Sequence, residues 1–68
     1  MTDWGERLKQ LRLHEGLTQT RVAHRMNVTQ PRVSNIEASA VLESETIERY
    51  LDAMNHQYVM TMQSIKRV

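Results

Sequence analysis

The sequence predicts a mainly α fold of four short helices followed by one C-terminal β-strand that pairs across a homodimer, and three observations predict it. Apolar residues recur at helical spacing between recognisable caps over residues 3–55, a turn of only two residues joins the second helix to the third, and beyond Asn55 the period drops to two. At 68 residues the chain is one domain and buries only about 60% of the surface its unfolded form exposes. Association would add the stability so small a core lacks. Residues 1–55 form the helical part, and residues 56–68 the dimerisation strand and tail of the same domain.

Asp3 with Glu6 three residues on is an N-terminal capping pattern; Trp4, Leu8 and Leu11 then share a face until Gly16 stops the first helix. Thr18 caps a second, short helix with Val22, Ala23 and Met26 inward, ending at Asn27, a residue that tolerates positive φ. Thr29 caps the third, and Gln30 and Pro31 occupy its first turn, where a missing backbone N–H costs nothing. In that helix Val33 and Ile36 face inward. Residues 38–43 read as loop. Ser44 is the expected cap of a fourth helix that turns Ile47, Tyr50, Leu51 and Met54 inward, and Asn55 is its expected stop. Tyr58, Met60 and Met62 then alternate with Val59, Thr61 and Gln63, a strand pattern with no evident partner in its own chain; the same strand of a second copy is the natural one.

Composition narrows the function classes. There is no Cys, so no disulfide framework and no thiolate metal site, which fits a reducing cytoplasm. The start is polar rather than signal-like, and no apolar run approaches the ~20 residues that span a bilayer, so a soluble protein with no membrane partner is expected. Net charge is only +1, but the chain up to and including Glu37 holds six of the nine basic residues (Arg7, Lys9, Arg12, Arg21, Arg25 and Arg32) against four of the eight acidic ones. His14, His24 and His56 lie too far apart for a short metal-ligand motif. No Gly-rich phosphate loop, nucleophile elbow or paired carboxylates point to catalysis. Neither an enzyme nor a cofactor is expected.

Two short helices across a tight turn, with small Ala23 where they approach, meet the geometric demand of a helix-turn-helix over residues 18–37. Its second helix stands proud and can enter the major groove of duplex DNA. There Gln matches adenine N6 and N7, and Arg matches guanine O6 and N7. Gln30, Arg32 and Asn35 are polar, point away from Val33 and Ile36, and are of the required types; Thr29 and Ser34 add hydroxyls. The start of the second helix, at Thr18 and Gln19, offers backbone N–H groups and an amide to a phosphate, which fixes register without reading sequence.

The runs Leu17-Thr18-Gln19-Thr20-Arg21-Val22-Ala23 and Met26-Asn27-Val28-Thr29-Gln30-Pro31-Arg32-Val33-Ser34-Asn35-Ile36-Glu37 closely resemble the Xre/Cro/CI-type helix-turn-helix family. The resemblance covers residues 4–54 and implies a lambda repressor-like DNA-binding fold, shortened to four helices, whose members bind operators as dimers and repress transcription. It implies a phosphate contact for Gln19, base-facing positions for Gln30, Pro31, Arg32 and Asn35, and a structural ion pair between Arg12 and Glu37. Arg12 is also a candidate phosphate contact. Asn27 and Ala38 depart from the family, which commonly has Gly at both positions. The segment Glu45-Thr46-Ile47-Glu48-Arg49-Tyr50-Leu51-Asp52-Ala53-Met54, with Tyr58-Val59-Met60-Thr61-Met62 after it, resembles antitoxins of the HigA and HipB kind. These repress their own operon and neutralise a toxin encoded beside them.

The expected function is thus a homodimeric transcriptional repressor on a palindromic operator, the autoregulatory antitoxin of a toxin–antitoxin operon. A phage or stand-alone regulator, and a protein-interaction module on the same scaffold, are the alternatives. The acidic run Glu43, Glu45, Glu48 and Asp52 reads as a solvated helix face or as a dock for a basic toxin.

Overall fold

The structure, a computed structural model, describes residues 3–54, 56–58 and 64–66. Four helices, α1 (Trp4–His14), α2 (Gln19–Met26), α3 (Gln30–Ala38) and α4 (Ser44–Ala53), precede two short strands, β1 (His56–Tyr58) and β2 (Ser64–Lys66).

Local chemistry sets the helix ends. The Asp3 carboxylate accepts from the Glu6 N–H at 3.0 Å, and the Thr18 hydroxyl accepts from the Arg21 N–H at 3.0 Å, each satisfying a donor that no helical carbonyl reaches. Gly16 takes φ 74°. Its N–H then returns to Leu13 O at 3.0 Å and that of Leu17 to Arg12 O at 3.1 Å, closing the last carbonyls of α1. At the start of α4 the cap is Glu43 rather than Ser44. Glu43 is extended (φ −70°, ψ 148°) and makes no side-chain cap bond, and its carbonyl accepts the first helical bond, from Ile47 N–H at 3.1 Å. Ser44 is therefore the first helical residue.

The core gathers Leu8 from α1, Val22 and Ala23 from α2, Val33 and Ile36 from α3, and Ile47, Tyr50, Leu51 and Met54 from α4 and its end; Trp4, Leu11, Leu17 and Met26 close its rim half-buried. Helix α3 packs on α1 and α2, and α4 packs across both of those. The start of α1 is also tied to the end of α3: the Trp4 N–H donates to Ala40 O at 3.1 Å and the Gly5 N–H to Ser39 O at 2.9 Å. Gly5 is buried, and a Cβ there would fall on the carbonyl oxygens of Ser39, Glu37 and Ile36. The absent side chain is what lets two backbones touch.

Strands β1 and β2 form an antiparallel pair with His56 opposite Lys66, Gln57 opposite Ile65 and Tyr58 opposite Ser64. This corrects the sequence reading, in which the terminal strand has no partner in its own chain. The partner, Ser64–Lys66, is a three-residue segment with a polar residue at either end, too short to show a period. Of the strand expected over Tyr58, Val59, Met60, Thr61 and Met62, only Tyr58 falls within β1; the other four, and the expected stop at Asn55, lie outside the described residues.

Candidate nucleic-acid interface

The turn between α2 and α3 is made by Asn27, which adopts a left-handed conformation (φ 59°, ψ 44°). Its own N–H returns to His24 O at 3.2 Å, and that of Val28 to Ala23 O at 2.9 Å. An Asn tolerates this region better than most residues, so the turn forms without Gly. Thr29 is extended and leads straight into α3, with Pro31 in the first turn; its hydroxyl makes no cap bond.

Helix α3 is sharply two-sided. Val33, Ile36 and Glu37 are buried, whereas Thr29, Gln30, Pro31, Arg32, Ser34 and Asn35 are all exposed. Thr18 is exposed and Gln19 half-buried at the start of α2, beside the same surface. The candidate base-facing and phosphate-facing residues of α3 and its cap are thus all uncovered, and Gln19 at the start of α2 meets Gln30 directly. Ser39, at the end of α3, points its hydroxyl back to Asn35 O at 2.9 Å, which closes that helix without Gly at position 38.

Glu37 holds this face from below. Arg12 grips its carboxylate with two donors, Nε to Oε2 at 2.8 Å and Nη2 to Oε1 at 3.1 Å, and uses Nη1 for Leu17 O at 2.8 Å. The pair is buried, with side chains 8% and 3% exposed. The Tyr50 hydroxyl donates to Oε2, and Gln19 Nε2 donates to Oε1 at 3.0 Å. Gln19 Oε1 in turn accepts from Gln30 Nε2. Burial alone would raise the Glu37 carboxyl, but donors from Arg12, Tyr50 and Gln19 outweigh it and hold it below the ordinary carboxylate value. The hydrogen bond to Glu37 raises the Arg12 guanidinium against the opposing effect of burial. Burial, then the bond to Glu37, pushes the Tyr50 phenol well above its usual range. All three groups therefore keep their ordinary charge states at neutral pH.

Arg12, a candidate phosphate contact from sequence, is directed inward, with every guanidinium nitrogen engaged on Glu37 or Leu17. Arg25 turns away from the face to give Nη1 to Ala53 O at 3.0 Å, at the end of α4, and the Arg7 guanidinium lies 5.8 Å over the Trp4 ring. Arg21 and Arg32 stay exposed. Glu43 at the α4 cap and Glu45, Glu48 and Asp52 on α4 are exposed, and Glu45 meets Arg49 at 3.2 Å in a solvent-screened pair.

Sequence reasoning placed Tyr50 in the core and gave it no polar role. A buried tyrosine nonetheless needs a partner for its hydroxyl, and that requirement was the available signal. Gly5, in the first turn of an otherwise ordinary helix, was the corresponding signal for the contact between α1 and α3.

Among the described residues no helix is long and apolar enough to cross a membrane, and no group of three or more metal-ligating side chains gathers. A family model described as a helix-turn-helix domain matches residues 3–56. No curated protein and no solved structure matches the chain. The matched span opens at the Asp3 cap and takes in all four helices, including both sides of the Asn27 turn. By that match, over more than half its length, the chain belongs to the helix-turn-helix domain family.

Proposed function

We propose that this chain is a sequence-specific DNA-binding transcriptional repressor that acts as a homodimer on a palindromic operator. The observation that carries the reading is the exposed face of α3: Gln30, Arg32 and Asn35, all able to pair with base edges, project from a helix whose opposite face is locked by Val33, Ile36 and Glu37. Gln30, Pro31, Arg32 and Asn35 take the base-facing role. Thr18, Gln19, Thr29 and Ser34 take the phosphate and supporting roles, since hydroxyls, an amide and helix N-termini suit phosphate oxygens.

Dimerisation fits the terminal hairpin. Two short strands are marginal in water, and among the described residues each pairs only with the other, so a second copy would extend the sheet by pairing with one of them. Two-fold pairing would set half-sites one helical turn apart, about 34 Å. The likeness of residues 45–62 to HigA and HipB antitoxins makes an autoregulatory antitoxin the finer form of the proposal, with the toxin of the same operon as partner.

The test is binding to the palindrome upstream of its own gene, measured against scrambled duplex across a salt series. Affinity for the palindrome should exceed that for scrambled DNA by at least about a thousandfold and fall steeply with salt. Arg32→Ala should relax preference at one base position, at a cost of about 1–3 kcal/mol. Equal affinity for scrambled DNA would sink the reading.

A further inference from the structure

We propose that Glu37, a buried residue on the inward face of α3, determines base preference on the outward face by fixing which way round the Gln30 amide is held. The inference rests on the reading that α3 meets bases.

The argument follows donors and acceptors outward from the core. An ionised carboxylate accepts hydrogen bonds and donates none. Glu37 is held ionised by the Arg12 fork and the Tyr50 hydroxyl, so any side chain approaching its remaining acceptor capacity must bring a donor. Gln19 does so: its Nε2 lies 3.0 Å from Glu37 Oε1. The amide group is planar, with oxygen and nitrogen on opposite branches, so turning the nitrogen inward turns Oε1 outward. A carbonyl oxygen also only accepts, so Gln30 must present its nitrogen, and Gln30 Nε2 does donate to Gln19 Oε1. One Gln30 N–H is thereby engaged within the protein. The other N–H and Oε1 remain, a donor and an acceptor side by side, which is the pattern that adenine N7 and N6 complement.

Reversing the Gln30 amide would set two carbonyl oxygens against each other, and reversing both amides would set the Gln19 oxygen against the carboxylate. The negative charge on Glu37 is what forbids the reversed arrangement. With a neutral amide at position 37 both polarities could be satisfied, and Gln30 would present either of two faces. Glu37 is therefore a positioning residue for Gln30, acting through Gln19, and Tyr50 supports it by occupying Oε2.

Selection of binding sites from randomised duplexes, read position by position at fixed salt, tests this. The wild type should favour adenine at the pair facing Gln30 by about tenfold. Gln19→Met removes the relay while leaving the Arg12, Tyr50 and Glu37 cluster in place. It should reduce that preference to about threefold or less, with the preference at the pair facing Arg32 unchanged. A loss of affinity shared by all sequences reports the Gln19 phosphate contact and cancels from these ratios. Glu37→Gln, if its melting curve shows it folded, should lose the same adenine preference. If it does not fold, Gln19→Met decides.

In the DNA-free protein, nuclear magnetic resonance of the side-chain amides should show the Gln30 NH2 signals moving toward solvent-exposed values in Gln19→Met. Full adenine preference retained in Gln19→Met, equal loss at every position, or unmoved Gln30 signals would overturn the inference while leaving the DNA-binding reading standing. A wild type with no base preference anywhere would remove both.

Discussion

Replacing Arg12 by Ala should take away most of the stability of this domain. The substitution deletes two charge-assisted hydrogen bonds to Glu37 and one to Leu17 O, and leaves a carboxylate whose side chain is 3% exposed with only Tyr50 and Gln19 as donors. Breaking a buried pair from one side costs about 3–5 kcal/mol. A domain of 68 residues has roughly 3–10 kcal/mol in total. At about 4–8 °C per kcal/mol the melting temperature should fall by some 12–40 °C, read by circular dichroism at pH 7. The pH dependence supplies an independent sign. In the wild type Glu37 is held below its ordinary value of 4.5, so its contribution is fully present above that value and is lost as pH falls through the lower, folded one. Without Arg12, burial dominates and the carboxyl titrates higher, so protonation relieves the variant first. The gap between the two melting curves should narrow as the pH drops from 7 to below 4.5. A fall in melting temperature of only a few degrees, or a gap that is constant with pH, would refute this account of the pair.

Two further predictions concern the backbone. Gly5→Ala places a methyl on the carbonyl oxygens of Ser39, Glu37 and Ile36, forcing α1 away from α3, and should cost about 1–3 kcal/mol in urea unfolding. At Asn27, with φ at 59°, Val should destabilise by about 1–2 kcal/mol, whereas Gly should be neutral or slightly stabilising; thermal melts of the two variants side by side would distinguish this from a role for the Asn side chain.

What could be read from the chain before any coordinates was what short-range chemistry controls. The caps at Asp3 and Thr18, the stops at Gly16 and Asn27, and the three-and-four spacing of Val22, Val33, Ile36, Ile47 and Leu51 all act within one or two turns, and they delimited the helices and the core. The two-sidedness of α3 followed from the same spacing. Less legible was whatever depends on partners far apart in sequence. Arg12 with Glu37 came only from likeness to a family, and nothing local announces that Tyr50, thirteen residues beyond Glu37, gives it a hydrogen bond. Gln19 was read as a phosphate ligand, without its bonds to Glu37 and Gln30. The α4 cap slipped by one residue because Ser44 has the better capping chemistry, whereas it is the Glu43 backbone that stays extended and Ser44 that is already helical. Strand β2 was missed because three residues are too few to show a period.

The shared carboxylate also bears on how this scaffold could be re-engineered. A chimaera that imports a foreign α3 complete with its own inward residues would place an unfamiliar group where Arg12, Gln19 and Tyr50 converge from three other places in the fold. Exchanging only the exposed set at positions 30, 31, 32, 34 and 35 leaves that junction untouched. On the proposed reading, libraries for new operators are best confined to those five sites and position 19, with position 37 held constant and positions 19 and 30 varied together.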